Sequence, residues 1–449
     1  MGLTRKLAEF VSNLRYEDLP PEVISEVKFC VLDWFGVTLS GSKEPLVDIL
    51  LQVMIAEGGT PLASIVGRSE KVSLQQAALV NGSASHALDF DDVHTHMMGH
   101  PTVVVLPAPL ALGELKRCSG KDFITAFVAG FETVCHIGLC QTRKHGARGW
   151  HPTATIGHFA AAAACANLLH LDFDKTISSF GIAGTQAAGL RTSFGTMCKP
   201  LHAGKASMNG LLAAQLAEKG FTASKAILEK EEGFTHTFTP DGNLTYEPDG
   251  LGKRYEILDV KFKRYASCFG THPGIDVALA LREEGLKPDD IESVHAIPFH
   301  GLYDAISIMK PSTSLEGKFS LPYTFAVAFV KGKVGEDEFG EETLKNPEII
   351  KIRDKVTMEK DEKIPVNTSH IVVKTRDGRT IERHADVNQV FKDVKKKEES
   401  LKNKYFGCAT KVLSQGRSED LYAGIMELEK IEDLRSVINH SVKRGQSNA

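Results

Sequence analysis

The chain has eight cysteines but no CxxC pair among its 449 residues. Their scatter excludes a disulfide framework and a zinc ribbon, and suits a reducing, cytoplasmic setting. A long basic block is also missing: 53 Lys and Arg face 57 Asp and Glu, for a net charge of -4. That balance gives no reason to expect nucleic acid or an anionic membrane as partner. It leaves room for a small anion, which needs only a local cluster of cations. The opening MGLTRKLAEFVSNL reads as an amphipathic helix and lacks the apolar core and small-residue cleavage site of a signal peptide. Lys6 stands where a myristoylation signal requires Ser or Thr. The longest apolar run, Phe159 to Leu169, is alanine-rich and well short of the roughly 20 residues that cross a bilayer. Fixed-period repeats, low-complexity segments and a GxGxxG following a strand are absent, as are HExxH and EF-hand spacings. These absences leave a soluble chain long enough for two or more domains.

What is present is mostly helical periodicity. Ile24, Val27, Val31, Trp34 and Phe35 recur at helical spacing behind a Pro-Pro start and ahead of Gly41. Ser73 to Leu88 predicts a second helix, interrupted at Asn81-Gly82, and Val103 to Gly113 a third after His100-Pro101. Lys121 to Cys140 carries an apolar stripe, with His136 beside it as a core histidine. Phe159 to His170 and Thr176 to Leu190 are rich in small residues that let helices approach closely. Near Tyr265 the pattern changes. Ser293 to Phe299 reads as a strand, and Ser369 to Ala385 as two strands around an Asp377-Gly378 turn. Helical segments lie between them at Pro322 to Val330 and Glu341 to Lys355. The charged run from Asp393 to Lys404 predicts a solvated helix face, and Ser418 to Ile438 an amphipathic helix returning to the N-terminal half. The fold class is therefore mainly α with an α+β domain.

Chemistry concentrates between Ser83 and Pro101, where His86, His94, His96 and His100 stand among Asp89, Asp91 and Asp92. Spacing alone does not decide between Asp89 and Asp92, because adjacent residues of an extended segment face opposite ways and Asp91-Asp92 equally suits a cap. His94-x-His96 with Asp92 and His100 offers a metal set only if the loop folds tightly, so no metal site is assigned. A second concentration, Gly189 to Ala206, holds Arg191, Lys199, His202 and Lys205 among Gly and Pro. Lys199 precedes a proline, which predicts a loop there and places a cation where it can receive a carboxylate. His151 in GWHPT, His272 in SCFGTH and Tyr323 in FSLPY are further candidates, each of which also reads as a structural residue on local sequence. His272 stands where the helical and α+β regions meet, a common location for ligand clefts.

Taken in order, AALVNGSASHALDFDD, HPTVVVLPA, GWHPT, GTMCKPLHAGKA, CFGTHPGID and KFSLPY resemble the MmgE/PrpD family, over residues 77 to 323. That family includes 2-methylcitrate dehydratase, cis-aconitate decarboxylase and iminodisuccinate epimerase. The resemblance implies a helical domain formed by both chain ends (1–268 and 400–449), an inserted α+β lid domain (269–399) and an active site in the cleft between them. It also implies a homodimer that works without a cofactor on a small carboxylic acid. Its site positions carry over to Asp89, His100, His151, Lys199, His272 and Tyr323, with Arg191 and Lys205 as added cations. One departure is Val93, where many relatives have Thr after the paired aspartates. The shared chemistry is proton transfer beside a carboxylate, which needs cations to hold charge and a group titrating near neutrality. The expectation is that His272 or His100 moves the proton at carbon, Lys199 holds a substrate carboxylate, and Asp89 orients a histidine. A 2-methylcitrate dehydratase-type hydro-lyase is the leading expectation, ahead of a cis-aconitate decarboxylase or an epimerase. A non-catalytic polycarboxylate binder and a metallohydrolase stand as alternatives of other classes.

Overall fold

The computed structural model describes residues 2–243, 245–389 and 394–443. It is mostly helical with a small mixed sheet. The chain begins with a helix at Leu3–Asn13, followed by α1 (Pro21–Gly41), whose first position is a proline with no hydrogen bond to lose there. Next come α2 (Leu74–His86), α3 (Gly120–Gln141), α4 (Gly157–Leu168) and α5 (Cys198–Glu218). By length and composition α3 would cross a bilayer, but here it is buried inside the molecule along nearly its whole length.

Small residues set the centre of this bundle. The expected interruption at Asn81-Gly82 is absent, and α2 runs straight through it. Gly82 serves close approach instead: a Cβ there would lie 2.7 Å from the Cα of Gly204 on α5. Two helices in such contact exclude water from the backbone between them, and a side chain on either glycine would force them apart. The expected helix after His100-Pro101 is split into Thr102–Val105 and Pro107–Lys116, because Pro107 begins a new helix. Lys199 is not in a loop. Pro200 follows it in the first turn of α5, where a missing N–H breaks no helical bond.

The second region starts with α6 (His272–Glu283) and β1 (Ile291–Pro298), followed by α7 (Leu321–Lys331), β2 (Val356–Met358), β3 (Thr368–Thr375) and β4 (Thr380–Asp386). The sheet order is β2-β1-β3-β4, with β1 parallel to β2 and the other pairs antiparallel. Gly378, at φ +86°, makes the expected β3–β4 turn. The helical segment expected over Glu341 to Lys355 is two short helices, because Asn346 caps the second and Pro347 starts it. Alternate residues of β1 and β3 are buried beneath α6, against which α7 packs in turn. A hydrophobic core forms there around Ile275, Val294, Phe325 and Ile371.

The chain then returns to its start. α8 (Val394–Ala409) packs along α1, and Leu401, Tyr405, Leu421 and Ile438 join the same core as Leu7, Val27 and Phe127. The charged run ending at Lys404 is not simply solvated: Lys397 pairs with Glu26 and Lys404 with Asp33, both at 2.6 Å. Asp393, which opens that run, lies outside the described residues. The single helix expected over Ser418 to Ile438 is two, Gln415–Met426 and Arg435–Ser441.

Candidate active site

The loop that follows α2 is held by its backbone. Asp89 adopts φ +51°, the left-handed region that costs a non-glycine residue about 1–2 kcal/mol. Three lysines from distant parts of the chain donate to three consecutive carbonyls around it. Lys318 reaches Leu88 O at 2.6 Å, Lys263 reaches Asp89 O at 2.7 Å, and Lys404 reaches Phe90 O at 2.6 Å. Lys263 and Lys318 are only 1% and 4% exposed. Lys404 also lies over the Phe90 ring at 3.9 Å. Each contact is a charge-assisted hydrogen bond, typically worth about 1.5–3 kcal/mol, so the three together outweigh the strain at Asp89.

The side chains of the loop divide into separate tasks. Asp89 accepts from Lys199 Nζ at 2.6 Å and faces Lys263 Nζ at 3.2 Å. Burial alone would raise its pKa, but these two ammonium groups hold it well below the carboxylate range. Asp91, not Asp89, orients histidines: its Oδ2 lies 2.8 Å from His86 Nδ1 and 2.9 Å from His100 Nδ1. Burial works against the Asp91 charge, and the two imidazoles overcome it and lower its pKa. Asp92 faces away. Its carboxyl is paired with the Thr102 hydroxyl and backbone N–H, and burial pushes its pKa up to about 8. The choice that spacing left open is thus resolved in geometry, with Asp89 on the cavity side and Asp92 in a structural role.

Acceptors fix the tautomers. His100 Nδ1 faces both the Asp91 carboxylate and Asp92 O at 2.8 Å, so it carries a proton and leaves Nε2 as the free ring nitrogen. His86 likewise carries its proton on Nδ1, and its Nε2 accepts from Lys199 at 2.8 Å. The result is a hydrogen-bonded relay from Lys199 through His86 and Asp91 to His100. Burial lowers the pKa of both imidazoles, that of His86 to about 3, with Asp91 opposing the shift in each case. His151, stacked 6.0 Å from His86 and 3.1 Å from His202 Nδ1, is also held well below its usual value by burial and by Lys199.

These groups open onto a cavity of about 330 Å³. From the helical side it is lined by Asp89, His100, His151, Arg191 and Lys199, and from the other side by Phe269, Phe299, Leu302 and Phe319. Val93 also faces it, with its backbone paired to Lys261. Three expected site residues do not line it. His272 is buried beneath Tyr265 and Phe269, with Nε2 3.3 Å from Ser267 O, because the short helix Phe269–Thr271 turns it inward. Tyr323 packs on Phe339 with its hydroxyl 3.4 Å from Glu338 O, as a core aromatic. Lys205 lies one turn and a half beyond Lys199 on α5, and points to solvent.

The metal set considered from sequence does not assemble, since Asp92 faces Thr102. Two other groups bring ligand atoms within 4.8 Å of one another: His86 with Asp89 and His100, and His94 with His96 and Glu256. In the first, the Lys199 ammonium already bridges Asp89 and His86. In the second, His94 Nε2 is 2.9 Å from Glu256 O and His96 Nδ1 pairs with the Glu256 carboxylate.

Sequence reasoning passed over Asp91, Lys263, Lys318 and Lys404. Three of the four sit beside aromatic residues (Phe262-Lys263, Lys318-Phe319, Lys404-Tyr405), and lysine in an apolar setting was the available signal that these side chains are buried.

Comparison with known proteins gives a consistent result. The MmgE/PrpD N-terminal domain matches residues 5–247 and the MmgE/PrpD C-terminal domain residues 265–428. The "Cis-aconitate decarboxylase-like protein oryM" of Aspergillus oryzae is 28% identical, covering 97% of this chain and 96% of its own length. A "Cis-aconitate decarboxylase" of Aspergillus terreus is 28% identical over 98% of this chain and 97% of its own. A protein of the same name from Mus musculus is 26% identical over 98% and 93%.

Proposed function

This chain belongs to the MmgE/PrpD family and is a lyase, and on that premise we propose that it decarboxylates a cis-aconitate-like tricarboxylate, with the itaconate skeleton as product. This replaces the dehydratase as the leading reading, because the full-length relatives above carry the decarboxylase name. In the reaction, the C–C bond to the departing carboxylate breaks and its electron pair forms the new terminal alkene. The pair of the old double bond takes up one proton at the far carbon. Substrate and one proton thus give carbon dioxide and a dicarboxylate.

The observation that carries the reading is His100, whose Nε2 is the free nitrogen of an Asp91-held imidazole on the cavity wall. As the imidazolium it delivers the proton, and Asp91 stabilises that form. Lys199, fixed by Asp89 and His86, keeps a remaining ammonium hydrogen for a substrate carboxylate. The apolar wall of Val93, Phe269 and Leu302 favours loss of a carboxylate as neutral carbon dioxide, since charge disappears where solvation is poor. Incubation with cis-aconitate should release carbon dioxide and the C5 dicarboxylate in equal amounts, read by mass spectrometry. Turnover of 2-methylcitrate to an alkene, with no carbon dioxide from cis-aconitate, would return the dehydratase to first place.

A further inference from the structure

The cavity wall carries four full cations, Arg143, Arg191, Lys199 and Lys360, against two carboxylates, Asp89 and Asp304. Lys199 pairs with Asp89 at 2.6 Å and Lys360 with Asp304 at 3.5 Å. The charges on the two arginines therefore lack a carboxylate among the described residues. Arg191 Nη1 donates to Gly146 O at 3.0 Å, and Arg143 lies three residues before that glycine, so both belong to one rim of the cavity. The Arg143 guanidinium lies 4.8 Å over the Phe299 ring of the opposite wall, and its side chain has no hydrogen-bond or ion-pair partner among the described residues. Partial burial without a counter-ion pulls its pKa down.

We propose that Arg143, with Arg191 beside it, forms a second carboxylate subsite, which takes a substrate carboxylate other than the one at Lys199 and makes the cavity selective for acids with two or more carboxylates. The inference rests on the reading of the substrate as a polycarboxylate. Its geometry suits a planar anion: a guanidinium already held against an aromatic ring loses little freedom when it donates to one in a bidentate fork.

The test is direct binding, which does not depend on which reaction occurs. Calorimetry with tricarballylate, a saturated tricarboxylate, and butyrate, a monocarboxylate, compares the wild-type protein with Arg143→Gln and Arg143→Lys. Arg143→Gln should weaken tricarballylate about 10- to 100-fold, as for loss of one charge-assisted pair, and leave butyrate within about twofold. Arg143→Lys should fall between, since it keeps the charge but not the stacked fork. Retained butyrate binding also shows that the variant is folded. Equal tricarballylate affinity in wild type and Arg143→Gln overturns the subsite, as does an equal loss for both ligands. If the binding difference holds but cis-aconitate is not turned over, the subsite stands and the decarboxylase reading falls.

Discussion

Replacing Lys318 separates positioning of Asp89 from stability of the fold. Lys318 donates to Leu88 O at 2.6 Å but does not line the cavity, and among the described residues it forms no ion pair. Lys318→Met keeps a long unbranched side chain near the Phe339 ring, 5.1 Å from the present ammonium, and removes only the donor. Two stability effects then oppose each other. An unsatisfied buried carbonyl costs about 1–3 kcal/mol. Against that, burial lowers the Lys318 pKa from 10.5 to about 8, so the folded state binds its proton less tightly than the unfolded one. The cost of burying that charge is fully present below about pH 8 and fades as pH rises towards 10.5, and methionine removes it. At pH 7 the variant should melt within a few degrees of wild type, and the comparison should turn against it by pH 9. Activity has no such compensation. Asp89 holds a conformation costing about 1–2 kcal/mol, and losing one of its three anchors should lower kcat about tenfold, at roughly 1.4 kcal/mol per decade, with KM nearly unchanged. Lys318→Arg, which keeps a donor, should recover part of the rate. Wild-type kcat in a variant that melts several degrees lower at pH 7 would refute the positioning role.

Other perturbations address the proton relay and its surroundings. His100→Asn should lower kcat by about 10²–10⁴ with little change in KM, the range for losing a general acid, while His272→Asn should stay within about tenfold of wild type. Comparable losses in the two variants would return His272 to the chemistry. Asp91→Asn removes the carboxylate that raises the His100 pKa, so the limb of the rate profile that needs the imidazolium should move to lower pH. A limb that does not move would rule out that pair. Asp92 holds its proton up to about pH 8 when folded but only to about 3.8 when unfolded, so wild type loses stability as pH rises between those values. The melting temperature of Asp92→Asn should gain on wild type from pH 5 to pH 8, and a constant difference would contradict the assigned protonation state.

How much of this was legible depends on whether a feature is written in side chains or in the backbone. Helical period located α1, α3 and α7 closely, because their large apolar residues recur at regular spacing between ends marked by proline or a capping serine. The β3–β4 hairpin was legible for the same reason, with Asp377-Gly378 supplying the turn. Gly82 and Pro200 were misread because each has two physical meanings. A glycine in a helix marks either a break or a close contact, and a proline either ends a helix or sits in its first turn. Only the neighbour, Gly204 for the one and the helix start at Cys198 for the other, selects between them. Within the site, Asp89, His100, His151, Arg191 and Lys199 were all named from sequence and do line the cavity. His272 was named on its motif, but the turn at Phe269–Thr271 decides which way it faces.

The lysine anchors could not be read in the same way, because their partners are carbonyl oxygens, which every residue has and which leave no mark on composition or spacing. Their positions also bear on the layout of the chain. Lys263 lies between the two regions, Lys318 just before α7, and Lys404 on the helix that returns along α1. A buried lysine on a backbone oxygen is stable only while water is kept from both, so the left-handed turn at Asp89 depends on all three segments packing together. α8 thus does more than cover apolar surface. By placing Lys404 between Asp33 and Phe90 O, it ties the chain's C-terminal region to the loop that carries the candidate chemistry. Asp89, Asp91 and His100 reach their working geometry only in the completed fold, although only ten residues lie between the first and the last.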